Sequence, residues 1–197
     1  MMPDHPPEEA SRHVLDKAEE LFLKKGYAQT KLRDLAASLN MKPASLYYHA
    51  PGGKEELWNR VMDRLLARHH DELTRAAEKA GPGIRNQLRA MGDWLISQPP
   101  INPVSIASAD INASSTYQST HLADRIYDGL MAPVSQVVRQ AVERNEIRHI
   151  EPDLVSGVFI TSINGMLPLS DNNQLPSSLQ DLVYQLVDIL LDGIFKK

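Results

Sequence analysis

The sequence predicts an all-α protein with an N-terminal three-helix unit and a larger C-terminal helical part. Apolar residues recur every three or four positions through most of the 197 residues, the period of a helix with one buried face. No segment of useful length alternates with the period of two that marks a half-buried strand. Hydrophobic residues at 42% and charged residues at 23% are ordinary for a soluble globular protein, and the length suits one domain or two small ones.

The composition also excludes several classes of site. The chain has no cysteine, so it holds no disulfide, thiolate nucleophile or cysteine-based zinc site. Its start, MMPDHPPEEA, lacks the basic residues and apolar run of a secretory signal. No stretch has the apolar length of a membrane span. We therefore expect a cytoplasmic protein with no membrane association, no metal site and no cofactor.

The first helix is expected to begin near residue 7. Pro6 and Pro7 precede Glu8 and Glu9, and acidic residues in a first turn complement the helix dipole. Gly26 fits the left-handed conformation that ends a helix. The apolar stripe between these ends consists of Val14, Leu15, Ala18, Leu21 and Phe22.

The stretch from Thr30 to Ala50, TKLRDLAASLNMKPASLYYHA, predicts two short helices joined by a sharp turn. Thr30 is expected to cap the first with its hydroxyl, and Pro43 suits the first position of the second, where its missing N–H leaves nothing unsatisfied. The first helix has one buried stripe: Leu32, Leu35, Ala36 and Leu39. The second has few apolar residues, so its outer surface keeps Lys42, Ser45, Tyr47, Tyr48 and His49.

Such a surface suits the major groove of DNA, where hydroxyl and imidazole groups meet phosphates and base edges. The net charge is −4, yet the segment from Lys24 to Lys54 carries six Lys and Arg residues against Asp34 alone. A local basic patch favours a nucleic-acid partner. Two alternatives stay open, namely lysines that only solvate a helix end and tyrosines that form a half-buried amphipathic cluster.

A turn at residues 51–53 leads to a long fourth helix, which begins at Lys54 and runs to about Leu73. His69 and His70 are adjacent and therefore point in different directions, so we interpret them as solvated or packing side chains. The helix is long enough to act as a connector.

The clearest boundary in the chain is the Gly-Pro-Gly run at residues 81–83. We therefore predict three parts. Residues 1–53 form a helix-turn-helix DNA-binding domain, residues 54–80 a connecting helix, and residues 81–197 a helical domain, to which the family resemblance described below assigns ligand binding and dimerisation.

Amphipathic helices are predicted beyond this boundary. One runs from Ile84 to the prolines at 99 and 100, and residues 101–120 hold only a weak helical core. A second helix covers about residues 122–145, where Pro133 predicts a kink near Gly129.

The last two helices are the most apolar. The helix after Pro152 has apolar residues on more than one face through Leu167, so we expect burial on two sides. Residues 168–176 are predicted as a polar loop, followed by a capping box of Ser177 and Gln180 that opens the final helix. These helices either complete a self-contained core or pair with those of a second copy in a four-helix bundle. We favour the homodimer, because a twofold pair reading a palindrome doubles the contacts of one short helix.

The segment from Val14 to Leu57 resembles the N-terminal domain of the TetR family of bacterial transcriptional regulators. The resemblance depends on LYYH, the KEELW that follows it and the helix upstream. It implies an all-helical homodimer that represses by occupying an operator in double-stranded DNA and is released by a small-molecule effector. By matching position it implies DNA contacts from Thr30, Lys31, Lys42, Ser45, Tyr47, Tyr48, His49 and Lys54.

The chain departs from the family pattern between His49 and Lys54. The spacing is one residue longer than usual, and Ala50 stands where a larger apolar residue is common. The turn at residues 51–53 is expected to absorb the additional residue.

The resemblance places the effector site in the C-terminal domain. Bulky residues there are candidates for its lining, although a core role is the alternative. The candidates are Met91, Trp94, Tyr117, Tyr127, Phe159, Ile163 and Met166, with Asn164 or His121 as polar anchors. Residues 100–197 hold six basic and 11 acidic residues, a balance that favours a neutral or cationic ligand.

A helical enzyme or ligand-binding protein without DNA binding is the competing hypothesis. No metal-ligand spacing, glycine-rich phosphate loop or nucleophile elbow supports it. An activator, or a regulator that binds a protein partner in place of a small molecule, also remains open. We therefore predict a repressor with no enzymatic activity.

Overall fold

The computed structural model describes residues 8–99, 101, 123–171 and 176–193. Within these ranges the chain is helical and has no strand, which confirms the predicted class. The helices are α1 (Glu8–Gln29), α2 (Leu32–Ser38), α3 (Pro43–His49), α4 (Gly53–Lys79), α5 (Ile84–Ile96), α6 (Ala132–Glu143), α7 (Pro152–Asp171) and α8 (Leu179–Asp192). None of the helices in these ranges is long and apolar enough to span a bilayer.

The chain divides into two compact units, residues 1–65 and 66–197, so the division falls inside α4. The first unit contains the helix-turn-helix, and its core includes Phe22, Leu35, Leu46 and Trp58. The rings of Phe22 and Trp58 meet edge to face with centroids 5.2 Å apart. Large buried aromatic groups give this small unit much of its apolar contact area.

Gly26 interrupts α1 with a φ of 76°, as the sequence predicts for the end of the first helix. The hydroxyl of Thr30 donates to the carbonyl oxygen of Gly26 at 2.8 Å and to that of Leu21 at 3.3 Å. The predicted capping of α2 by Thr30 is therefore wrong. Lys31 is the N-cap residue of α2, without a side-chain bond, because the Thr30 hydroxyl already serves α1 carbonyls.

A π-helical turn, Tyr127–Met131, lies between helical residues 123–126 and α6. It is the irregularity predicted near Gly129, and Pro133 in the first turn of α6 has no N–H to donate to the preceding turn. Gly129 packs directly on α4: a Cβ atom there would lie 2.8 Å from Leu66 Cβ and 2.9 Å from the Leu66 carbonyl oxygen. Only a glycine permits this approach of two helix backbones.

The core of the second unit lies among α5, α6, α7 and α8 and includes Met91, Phe159 and Val183. α5 and α8 pack closely, since a Cβ on Gly92 would collide with Val183 Cγ1. Arginines of α5 also reach acidic residues of α8, and Arg89 Nη2 lies 2.9 Å from an oxygen of Asp188.

Three predictions about the last helices are corrected. α7 continues through Pro168 to Asp171, so the first part of the predicted 168–176 loop is helical. The N-cap of α8 is Ser178, whose hydroxyl accepts from the backbone N–H of Asp181 at 3.1 Å, in place of the predicted box of Ser177 and Gln180. In the single chain α7 also buries one face and not two, since the opposite face carries Leu154, which is 60% exposed.

Candidate functional site

α2 and α3 are joined by a tight turn in which Asn40 has a φ of 53°. The N–H of Met41 donates to the carbonyl oxygen of Ala36 at 2.9 Å, which closes the end of α2. Pro43 then begins α3, and Leu46 anchors that helix in the core of the first unit. Burial of this one apolar side chain fixes which face of α3 remains outside.

The outer face of α3 carries Ser45, Tyr47 and Tyr48, and the tyrosines are 52% and 46% exposed. Lys31 and Lys42, which precede α2 and α3, are exposed as well. These five side chains present hydroxyls, aromatic rings and positive charge on one short segment. Phosphate oxygens and base edges of DNA are bound by groups of this kind.

Two other predicted contact residues lie beneath this surface. Thr30 is only 3% exposed, with its hydroxyl bonded to α1 carbonyls. The His49 ring is buried against Tyr48, and its Nδ1 has no hydrogen-bond partner among the described residues. Burial, with a smaller contribution from the positive charge of Arg60, lowers the pKa of His49, which favours the neutral imidazole. Thr30 and His49 therefore pack beneath the exposed residues of α2 and α3 and are not part of the exposed surface.

Lys54 lies in the first turn of α4, with its side chain folded back over the end of α1. Its Nζ is 4.1 Å from the centroid of the Tyr27 ring and donates to the carbonyl oxygen of Ala28 at 3.4 Å. Partial desolvation lowers the pKa of Lys54. The longer loop ends at Gly53, whose φ of 69° allows the turn into α4.

A cavity of about 470 Å³ lies in the second unit. Its lining residues come from α4 (His70, Thr74, Ala77, Glu78), α5 (Gln87), the π-helical turn (Tyr127) and α6 (Ala132, Pro133, Gln136, Val137, Arg139, Gln140). A space of this size suits a small organic molecule. Of the predicted ligand-binding residues, Tyr127 lies on its wall.

A hydrogen-bond network extends from this wall to α7. The Tyr127 hydroxyl donates to Asp153 Oδ1 at 2.9 Å, and Ser135 Oγ donates to the same oxygen at 2.7 Å. The Ser135 bond and then the Tyr127 bond lower the pKa of Asp153 and keep it ionised. The network therefore holds the π-helical turn and α6 against the first turn of α7.

Gln87, on the cavity wall, has a buried polar atom that lacks a hydrogen-bond partner in the described part of the chain. It is 9% exposed, and its Oε1 is buried without a hydrogen-bond partner among the described residues. Most buried side-chain polar atoms in proteins have a partner, so this orphaned acceptor needs an explanation.

The other predicted ligand residues are placed elsewhere. Met91, Phe159 and Ile163 are fully buried in the core, and none lines the cavity. Tyr117 and His121 lie outside the described residues.

The partly buried candidates also have structural partners. Trp94 and Met166 pack against the core, and the Trp94 ring meets His69 edge to face at 4.7 Å. Asn164 accepts from the backbone N–H of Ile101 and donates to the carbonyl oxygen of Ile160, each at 3.0 Å. The structure thus uses these side chains to hold helices and a chain segment together.

Comparison with known proteins agrees with this arrangement. Residues 14–61, from α1 into α4, match the family described as bacterial regulatory proteins, tetR family. The biofilm operon icaADBC HTH-type negative transcriptional regulator IcaR of Staphylococcus epidermidis is 39% identical over 66 residues. That match covers 30% of this chain and 35% of IcaR, so the chain spans about a third of this relative.

Two further likenesses extend over most of the chain. The HTH-type transcriptional repressor DhaR of Mycobacterium sp. strain GP1 is 24% identical over 161 residues, 79% of each chain. The crystal structure of the regulator FadR from Bacillus subtilis in complex with stearoyl-CoA has a TM-score of 0.68 at 14% identity, covering 93% of this chain and 99% of that chain. The last likeness shows that the fold is shared beyond the N-terminal unit. Residues 14–61 therefore form an N-terminal domain of the tetR family type, and the similarity over most of the chain is to transcriptional regulators.

Proposed function

We propose that this protein is a repressor that binds a palindromic operator as a homodimer and releases it when a small molecule occupies the cavity. The observation that carries the proposal is the exposed face of α3. Two half-exposed tyrosines, a serine and a lysine face outward there, while the same helix buries Leu46. A short helix held rigidly with polar and aromatic groups outward is suited to reading a major groove. Operator binding would place the protein in the cytoplasm.

Repression, as opposed to activation, is supported by the relatives. IcaR is named a negative regulator and DhaR a repressor. The first shares the helix-turn-helix region alone, and the second spans most of both chains. The same sign of regulation is therefore proposed for this chain.

The homodimer is supported by an unpartnered apolar stripe on α7. Leu154, Val158 and Leu169 are exposed, together with Gly165, and their spacing of four, seven and four residues puts them on one face of the helix. Ile189 on α8 is 50% exposed. Monomeric proteins seldom leave such a row of large apolar side chains in water, and an isologous contact with a second copy would cover it.

Release by a ligand is proposed to act through α4. This helix contributes Leu57 and Trp58 to the core of the first unit and Thr74 and Glu78 to the cavity wall. A molecule in the cavity can shift the DNA-binding equilibrium only by its difference in affinity for the bound and released arrangements. An effector that prefers the released arrangement would lower operator affinity.

DNase footprinting tests the function directly. We expect the protein to protect a palindrome in or near the gene's own upstream region, with affinity that falls steeply as salt rises, because phosphate contacts release counterions. Tyr47→Ala should lower affinity at least about tenfold, since one buried aromatic contact is worth on the order of 1–3 kcal/mol and the dimer carries two. Fluorescence anisotropy with a labelled operator measures this loss.

Tyr47→Phe is the matched variant, since it keeps the ring and removes the hydroxyl alone. Circular dichroism should show that both variants fold, because Tyr47 lies outside the core. If Tyr47→Ala bound the operator with unchanged affinity, α3 would not be the helix that contacts DNA. Failure of the unmodified protein to bind any DNA at low salt would favour a helical ligand-binding protein.

A further inference from the structure

Gln87 gives the cavity a specific chemical preference. A glutamine side chain offers a hydrogen-bond donor and an acceptor next to each other in one plane. Here the acceptor, Oε1, is buried and unpartnered among the described residues, on a side chain that is 9% exposed. A ligand group that supplied the missing donor would satisfy it.

The charged residues on the cavity wall balance each other. α4 contributes the carboxylate of Glu78, and α6 contributes the guanidinium of Arg139, which donates to Gln136 Oε1 at 2.9 Å. An ion of either sign would therefore meet one like charge as well as one unlike charge. An uncharged ligand avoids this conflict.

The wall combines apolar and polar groups. Pro133 and Val137 are among the residues that make it more apolar than polar, and Gln87, Gln136 and Gln140 line it as well. A long acyl chain would separate these amides from water without offering hydrogen bonds in return. A compact molecule with an apolar body and hydrogen-bonding groups fits better.

We propose that the cavity binds a compact, uncharged molecule with a hydrogen-bond donor and acceptor on neighbouring atoms, such as a lactam, a carboxamide or an amino-heterocycle, and that Gln87 reads that pair. The proposal rests on the proposed function, in which this cavity is the effector site. The geometry of two amide-like groups facing each other gives two parallel hydrogen bonds, as when glutamine reads adenine.

The first test needs no ligand. Gln87→Leu keeps the side chain's approximate size and removes the unpaired acceptor, so the melting temperature of the full-length variant should stay the same or rise. Asn86→Leu, the adjacent exposed amide on α5, is the matched control. A fall of several degrees with Gln87→Leu alone would show that the amide has a structural role, and would overturn the proposal.

The second test measures binding by titration calorimetry with named probes. Isocarbostyril, a bicyclic lactam, and benzamide should bind the unmodified protein, and Gln87→Leu should weaken them roughly tenfold or more. The N-methyl derivative of isocarbostyril lacks the donor. It should bind the unmodified protein as weakly as isocarbostyril binds Gln87→Leu. Asn86→Leu should leave all these affinities unchanged.

Three results would overturn the proposed ligand class. These are absence of saturable binding by both amide probes at millimolar concentration, binding that Gln87→Leu does not weaken, or tighter binding of palmitate or naphthoate than of the lactam. Each preparation is also tested for retention on operator DNA. Intact DNA binding with failed lactam binding would reject the ligand class alone, whereas loss of DNA binding by the unmodified protein would reject the proposed function.

Discussion

Replacing Leu154 and Ile189 together by glutamate is expected to give a monomer and to lower operator affinity by about 100-fold or more. Both side chains are at least half exposed in the isolated chain, so the substitutions leave its own core intact. In a homodimer they would bury four carboxylates in an apolar contact, which is strongly unfavourable for ionised groups. A monomer binds one half-site only, so it loses the additional affinity that a dimer gains by binding two half-sites at once. Sedimentation velocity gives the oligomeric state, and anisotropy gives the affinity.

The control adds one carboxylate per chain away from the apolar stripe. Asn86→Glu changes an exposed polar residue of α5 and should remain dimeric with unaltered operator affinity. Circular dichroism and thermal melting show whether the double variant retains its helices. A folded double variant that still sediments as a dimer would place the dimer contact on another surface.

The second large effect is expected from Gly129→Ala, which should reduce the free energy of unfolding by about 3 kcal/mol and the melting temperature by about 6–12 °C. The added methyl would lie 2.8 Å from Leu66 Cβ and 2.9 Å from the Leu66 carbonyl oxygen. The carbonyl belongs to the α4 backbone, so no side-chain rotation can relieve the clash. The π-helical turn and α4 would have to separate. Urea unfolding followed by circular dichroism measures the loss.

Gly157→Ala in α7 is the matched substitution. A Cβ there would meet Met131 Cε at 3.5 Å, an ordinary van der Waals distance. Because alanine is the better helix former, stability should rise, by up to about 1 kcal/mol. Equal stability of the two variants would mean that the helices at Gly129 separate without cost, contrary to the packing described above.

The helical class and most helix ends were predictable because proline and glycine mark them locally. Pro43 begins α3 and Gly26 interrupts α1 as expected. The choice of capping side chain was not predictable, because it depends on competing partners. Thr30 precedes α2 but bonds to α1, and at α8 the second of two adjacent serines, Ser178, takes the cap.

The outer face of α3 follows from the sequence, since a seven-residue helix that buries Leu46 leaves the opposite side in water. The polar ring of His49 predicts exposure, but the residue lies three positions after Leu46, a spacing that puts both side chains on the same face. Helical periodicity therefore contains the signal for the burial of His49.

The cavity was harder to predict because bulky apolar residues fill a core more often than they line a polar pocket. Met91, Phe159 and Ile163 pack together in the second unit. Gln136 and Gln140 are four residues apart on α6, a pattern that a sequence cannot distinguish from a solvated face. Only the packing of α4, α5 and α6 encloses them.

The contact between Lys54 and Tyr27 lowers the entropic cost of binding a phosphate. The ammonium group lies 4.1 Å from the ring centroid and reaches the Ala28 carbonyl, so its four-carbon chain is already restricted to few rotamers in the free protein. A freely moving lysine loses roughly 1.5–2 kcal/mol of rotamer freedom when it is fixed. A phosphate bound by Lys54 would meet a preorganised cation, and much of that loss would already have occurred during folding.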